Sequence, residues 1–81
     1  MDIQLIQGQF SARDAIDIVT HMIHIKVKYH ENQIINMSNE EDVKFQEAKI
    51  KRLQKELFEF RNSVDEKNGT VKLNAVIQID I

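Results

Sequence analysis

Apolar and polar side chains alternate most clearly at the end of the chain, over residues 70–81. Every second position from 71 onwards is apolar, and nearly all the positions between are polar. This period of two is typical of a strand with one buried face. A shorter pattern at residues 2–7, with Ile3 and Leu5 on one side, predicts a first strand that Gly8 ends.

Between these strands the apolar spacing changes to that of a helix. Ser11 is a suitable N-cap, because its hydroxyl accepts hydrogen bonds from first-turn amides, and the helix it begins runs to about Ile35. Apolar side chains cover an arc of roughly 200° on this helix, which is too wide for one partner. We therefore expect it to contact both a sheet and another helix. The arc consists of Ala15, Ile16, Ile18, Val19, Met22, Ile23, Ile25, Val27, Tyr29 and Ile34.

Residues 23–30 leave an alternative open, because they also alternate strictly between apolar and polar side chains. Alternation of this kind is a strand pattern. The helix is favoured, since no Gly, Pro or Asn separates Thr20 from this segment to form the turn that a new strand needs.

The second half of the chain predicts another long helix. Residues 38–41 form a capping box of the Ser-x-x-Glu type, and the helix continues to about Val64. Residues 65–69 then end it, with Asn68 or Gly69 free to take the left-handed conformation. Apolar residues three and four apart form a heptad seam, with Gln46 in the vacant slot. The seam consists of Val43, Ile50, Leu53, Leu57, Phe60 and Val64.

These elements predict an α+β fold of β-α-α-β order, with a long antiparallel helical hairpin packed on a small antiparallel sheet. Residues 1–81 suffice for a single domain. The last strand, at about twelve residues, is about twice as long as the first. Half of it would therefore lack a partner, and an unpaired apolar edge is a template for association. We accordingly expect a homodimer.

Composition excludes several classes of protein. The chain has 42% hydrophobic and 30% charged residues, a formal net charge of −2, and neither Cys nor Pro. A disulfide scaffold and a Cys-ligated metal site are therefore excluded. No apolar run reaches about 18 residues, so we expect a cytoplasmic protein with no membrane contact. Nucleophile-elbow, phosphate-loop and dinucleotide motifs are absent from the sequence, so we expect neither enzymatic activity nor a cofactor.

Three groups of polar residues are candidates for binding sites. On the first helix, Asp17, His21 and His24 have the i, i+4, i+7 spacing of possible zinc, nickel or copper ligands. A solvated helix face is the favoured interpretation of this group.

Lys26 and His30 form the second group, because they project into the apolar arc, where charged groups need partners. Folding the hairpin near residue 37 predicts an ion pair between Lys26 and Glu47 that fixes the register of the helices. The functional alternative is a buried pair that binds a ligand or handles a proton.

The third group is a basic face on the second helix, whose residues are Lys44, Lys51, Arg52 and Lys55. It is a possible contact for nucleic-acid phosphates, although a solvated face is favoured, since no aromatic side chain lies among the lysines. Nucleic acid is therefore an unlikely partner on sequence grounds. The sequence best predicts a non-enzymatic protein-interaction module, with nucleic-acid binding and metal or small-ligand binding as alternatives.

Overall fold

The computed structural model describes residues 1–64 and 69–81. Within them the chain forms strand β1 (Asp2–Ser11), helix α1 (Ala12–Ile35), helix α2 (Glu40–Ser63) and strand β2 (Thr70–Gln78). The predicted α+β fold is confirmed, with two antiparallel helices and an antiparallel two-stranded sheet. The expected end of the second helix at residues 65–68 lies outside the described residues. No helix in the described part of the chain is long and apolar enough to cross a membrane.

The sheet is paired along its whole length, which corrects two sequence predictions. The ladder extends from Ser11 opposite Thr70 to Asp2 opposite Gln78, so the expected unpaired half-strand does not exist. It is absent because Gly8 does not end β1. Gly8 stays in the strand at φ +151°, a conformation that glycine tolerates and other residues rarely adopt. Among the described residues, no further strand pairs with either outer edge of the ribbon.

A bulge in β1 sets which side chains face the helices. Gln4 pairs with Val76 and Ile6 pairs with Ala75, so Leu5 is the additional residue on the β1 side. The predicted alternation of Ile3 and Leu5 is interrupted at this bulge, and Ile6 rather than Leu5 lies opposite Ala75.

Residues opposite each other in an antiparallel ladder point to the same side. The inner face of the sheet consequently consists of Ile3, Ile6, Gly8, Phe10, Val71, Leu73, Ala75 and Ile77. The outer face is polar, and two cross-strand hydrogen bonds lie on it. Gln4 Nε2 donates to Asn74 Oδ1 at 2.7 Å, and Gln9 Nε2 donates to Thr70 Oγ1 at 3.0 Å.

Both helices begin at side-chain caps. Ser11 is the N-cap of α1, as predicted, and its hydroxyl accepts from the Asp14 amide at 3.1 Å. At α2 the predicted cap is one residue early, because Asn39 rather than Ser38 occupies this position and accepts from the Glu41 amide at 2.8 Å. Residues 23–30 are helical, so the strand alternative is wrong.

The core of the protein is thin. Ala12, Ala15 and Ile16 are buried near the start of α1, which packs against both strands, and Val27 and His30 are buried further along it. The wide apolar arc of α1 therefore does contact both a sheet and a helix, as predicted. Helix α2 packs against α1 and has no buried residue over its whole length. The Cα atoms span 47 × 34 × 13 Å, so the protein is a flat slab.

Candidate functional site

His30 is the buried polar residue around which the best-defined candidate site is built. Its imidazole lies between the helices, with 6% of its surface exposed. His30 Nδ1 donates to Gln46 Oε1 at 2.6 Å, so the polar residue in the vacant slot of the α2 seam is its partner. The Tyr29 ring contacts the imidazole edge-on, with the centroids 5.4 Å apart. These contacts fix the ring in one orientation.

A cleft of about 430 Å³ opens beside His30 between the two helices. We call it the basic cleft, and it is lined by Lys26, His30, Lys49, Arg52, Leu53 and Glu56. Arg52 Nε lies 3.3 Å from Glu56 Oε1 one helical turn away. Lys49 Nζ lies 4.4 Å from the centre of the Phe45 ring, in cation–π geometry.

The predicted ion pair between Lys26 and Glu47 is not formed. The register of the hairpin explains this, because His30 is level with Gln46, and a pairing centred near residue 38 puts Lys26 level with residue 50 rather than 47. Lys26 and Glu47 are both exposed, so His30 alone of the three candidates is buried.

A second cleft, of about 520 Å³, lies further along the hairpin. Its apolar lining consists of Ile23, Val27, Leu57 and Phe58, and the Phe58 ring is 65% exposed. Polar groups on its rim come from His24, Gln54, Arg61 and Asn62.

Helix α1 also has apolar residues that neither α2 nor the sheet fully covers. Ile18, Met22, Ile25 and Tyr29 follow one another at spacings of four, three and four, which places them on one side of the helix. We call these four residues the outer stripe. Ile18 and Met22 are half-buried, whereas Ile25 is 72% exposed and Tyr29 is 58% exposed.

The candidate metal ligands do not form a cluster. His21 Nδ1 is 2.7 Å from the backbone oxygen of Asp17, so a carbonyl rather than a carboxylate meets the ring. His24 lies on the rim of the 520 Å³ cleft. In residues 1–64 and 69–81 no group of three or more His, Asp or Glu side chains is placed to hold a metal ion.

The predicted basic face is exposed along α2, but two of its four cations have acidic neighbours. Lys44 Nζ is 3.7 Å from Glu40 Oε1, and Arg52 contacts Glu56. Lys51 and Lys55 are exposed and in no ion pair with a described residue. Of the four cations, Arg52 alone lines the basic cleft.

Sequence reasoning missed Lys49, Glu56 and the partner role of Gln46. Two features of the sequence could have indicated Gln46. It is the polar residue in an otherwise apolar seam of α2, and it is level with His30 in the apolar arc of α1. Lys49 and Glu56 needed the packing angle of the helices, which periodicity does not supply. Comparison of the chain with protein-family models, curated proteins and solved structures finds no match.

Proposed function

We propose that this protein is a non-enzymatic protein-interaction module that forms a homodimer through the outer stripe of α1. Its large surface is the observation on which the proposal rests. The accessible surface is 6670 Å², whereas a compact protein of 9.5 kDa exposes about 5,000 Å². The excess of about 1,600 Å² is larger than the roughly 800 Å² that each partner buries in a standard interface.

The uncovered surface is apolar at the places where a core would continue. Ile25 and Tyr29 prolong the side of α1 that is already half-buried at Ile18 and Met22. On the inner face of the sheet, Ile3 and Ile77 are 38% and 44% exposed beyond the part that packs on α1. Covering such surface stabilises a protein by about 25 cal/mol per Å².

A second copy of the chain suits the outer stripe better than an unrelated partner does. The spacing of four, three and four reads the same in both directions along the helix. Two antiparallel copies of α1 would therefore align all four residues at once, with Ile18 against Tyr29 and Met22 against Ile25. A two-fold interface requires this self-complementarity. Alternating spacings of three and four are also those of helix pairs that pack knobs into holes.

The proposal extends to the cellular setting. A chain without cysteine needs no oxidising compartment to fold, which supports the cytoplasmic assignment. The exposed edges of the two-stranded sheet offer a further surface for a strand of a partner protein.

Sedimentation equilibrium at micromolar protein concentration tests this proposal with three chains. The wild type is expected to sediment as a dimer, and Ile25→Glu as a monomer that keeps its helical circular dichroism. Lys28→Glu, on the neighbouring polar side of α1, is the matched control, and it is expected to remain dimeric although its charge changes more.

A monomeric wild type would refute self-association. Dissociation by Phe58→Glu but not by Ile25→Glu would refute the outer stripe as the interface and would place the contact at the 520 Å³ cleft.

A further inference from the structure

The basic cleft concentrates positive charge in a chain whose formal net charge is −2. Lys26 comes from α1, Lys49 and Arg52 come from α2, and Glu56 is the one carboxylate in the lining. Lys26 and Lys49 form no ion pair with any described residue. Three cations and one carboxylate leave the lining with a net positive charge, so a bound anion would reduce the repulsion between the cations.

His30 adds a second, independent observation at the same cleft. Its Nε2 is buried and has no hydrogen-bond partner among the residues that the structure describes. A buried polar atom without a partner costs free energy that a bound group recovers. Because Nδ1 holds a hydrogen for Gln46, Nε2 accepts a hydrogen bond in the neutral ring and donates one in the charged ring. A partly protonated oxyanion satisfies both forms, through its O–H group or its charged oxygen.

We propose that the basic cleft binds the phosphate group of inorganic phosphate or of a small phosphate monoester. Lys26, Lys49 and Arg52 supply the charge, and His30, which lines the cleft, supplies its unpartnered Nε2 once a side chain of the lining moves to admit the ligand. A phosphate group presents several oxygens in different directions, which suits donors that arrive from two helices. The planar guanidinium of Arg52 is well shaped for phosphate oxygens. A volume of about 430 Å³ exceeds what the phosphate group needs and lies in the range of small-molecule sites.

The cleft favours a small anion over a nucleic acid. Its three cations come from two neighbouring helices and line one cleft, whereas a nucleic-acid backbone needs cations spaced along a track. Three other lysines of α2, Lys44, Lys51 and Lys55, do not line the cleft. Lys44 also has an acidic neighbour, Glu40, at 3.7 Å. The site lies within one chain, so it does not depend on self-association.

Proton NMR of the histidine ring signals during titration with inorganic phosphate, and separately with glycerol phosphate, tests the proposal. We expect saturable shifts of the His30 ring signals in the wild type at millimolar phosphate. Lys49→Gln and Lys26→Gln are each expected to weaken binding about tenfold, since each removes one charge-assisted contact. Lys51→Gln, an exposed lysine of α2 outside the cleft, is the matched control and is expected to bind like the wild type.

The two titrations distinguish the sources of the phosphate group. Tighter binding of glycerol phosphate assigns the cleft to an ester, and equal or tighter binding of inorganic phosphate assigns it to the free ion. Absence of a saturable His30 shift with both probes would overturn the proposal, as would an equal loss of affinity in Lys51→Gln. Salt-dependent binding of a single-stranded oligonucleotide that Lys51→Gln weakens and phosphate does not displace would favour nucleic acid instead.

Discussion

Replacing Gln46 with leucine should destabilise the protein, even though leucine fits the heptad seam of α2 better than glutamine does. Gln46 Oε1 is the acceptor for His30 Nδ1, and His30 is 6% exposed. In Gln46→Leu both ring nitrogens of a buried imidazole would be without partners, because Nε2 has none in the described residues already. Leaving a buried donor unpaired costs about 1–3 kcal/mol.

Apolar contacts of the half-buried leucine offset up to about 1 kcal/mol of a cost of about 3 kcal/mol. The expected decrease in the free energy of unfolding is therefore about 2 kcal/mol. In a domain of this length, each kcal/mol shifts the melting temperature by about 4–8 °C. A decrease of about 10 °C is therefore expected. The protein concentration has to be the same for all variants, because any self-association would also raise the melting temperature. Gln54→Leu, at an exposed position of the same helix, is the control and should change the melting temperature little.

The double variant His30→Leu/Gln46→Leu separates the hydrogen bond from the packing. Removing both side chains leaves no buried polar atom of this pair without a hydrogen-bond partner. The double variant should therefore be more stable than Gln46→Leu alone. Thermal unfolding followed by circular dichroism measures all four chains. A melting temperature of Gln46→Leu equal to the wild type, or a double variant less stable than the single one, would show that the hydrogen bond between His30 and Gln46 does not stabilise the protein.

Three further changes test the local structure by the same thermal assay. Asn39→Ala should destabilise by about 1 kcal/mol through loss of the α2 cap and Ser38→Ala by much less, and the opposite order would contradict the cap assignment. Gly8→Ala should destabilise by about 1–2 kcal/mol, because its φ of +151° strains any residue with a Cβ, and an unchanged stability would contradict the strained strand. Thr20→Val should stabilise by about 1 kcal/mol, because the Thr20 hydroxyl is buried with no partner among the described residues, and a loss of stability would show that this hydroxyl is bonded.

The element types could be predicted because they depend on local periodicity and caps. The three-and-four spacing of α2 and the alternation in β2 each fix which side of the element is apolar. Ser11 fixed the start of α1, since its hydroxyl is the acceptor that first-turn amides need. The prediction that β1 ends at Gly8 was wrong because it depended on a single residue. A glycine at position 8 is compatible with the end of a strand and with a strand residue of positive φ, and only the pairing with β2 decides between them.

The candidate sites could be predicted only in part, because they depend on how the helices are rotated against each other. His30 was recognised as a buried polar residue from its place in the apolar arc of α1. Its partner Gln46 was not, because the hairpin is centred near residue 38 rather than residue 37, and this small difference in register decides which residue of α2 is level with His30. Lys49 and Arg52 reach the cleft from the flank of α2, and a linear pattern does not show which flank faces α1.

We propose that the protein completes its core by association with a second copy, and the concentration dependence of its melting temperature is a direct test. Where the dimer is the predominant folded species below the melting temperature, a hundredfold dilution lowers the free energy of unfolding by about 1.4 kcal/mol per protomer, which is half of RT ln 100. We predict that the melting temperature falls by roughly 5–10 °C over that range. A melting temperature that stays constant on hundredfold dilution, in a protein that sediments as a monomer of 9.5 kDa, would show that the core is not completed by a second copy.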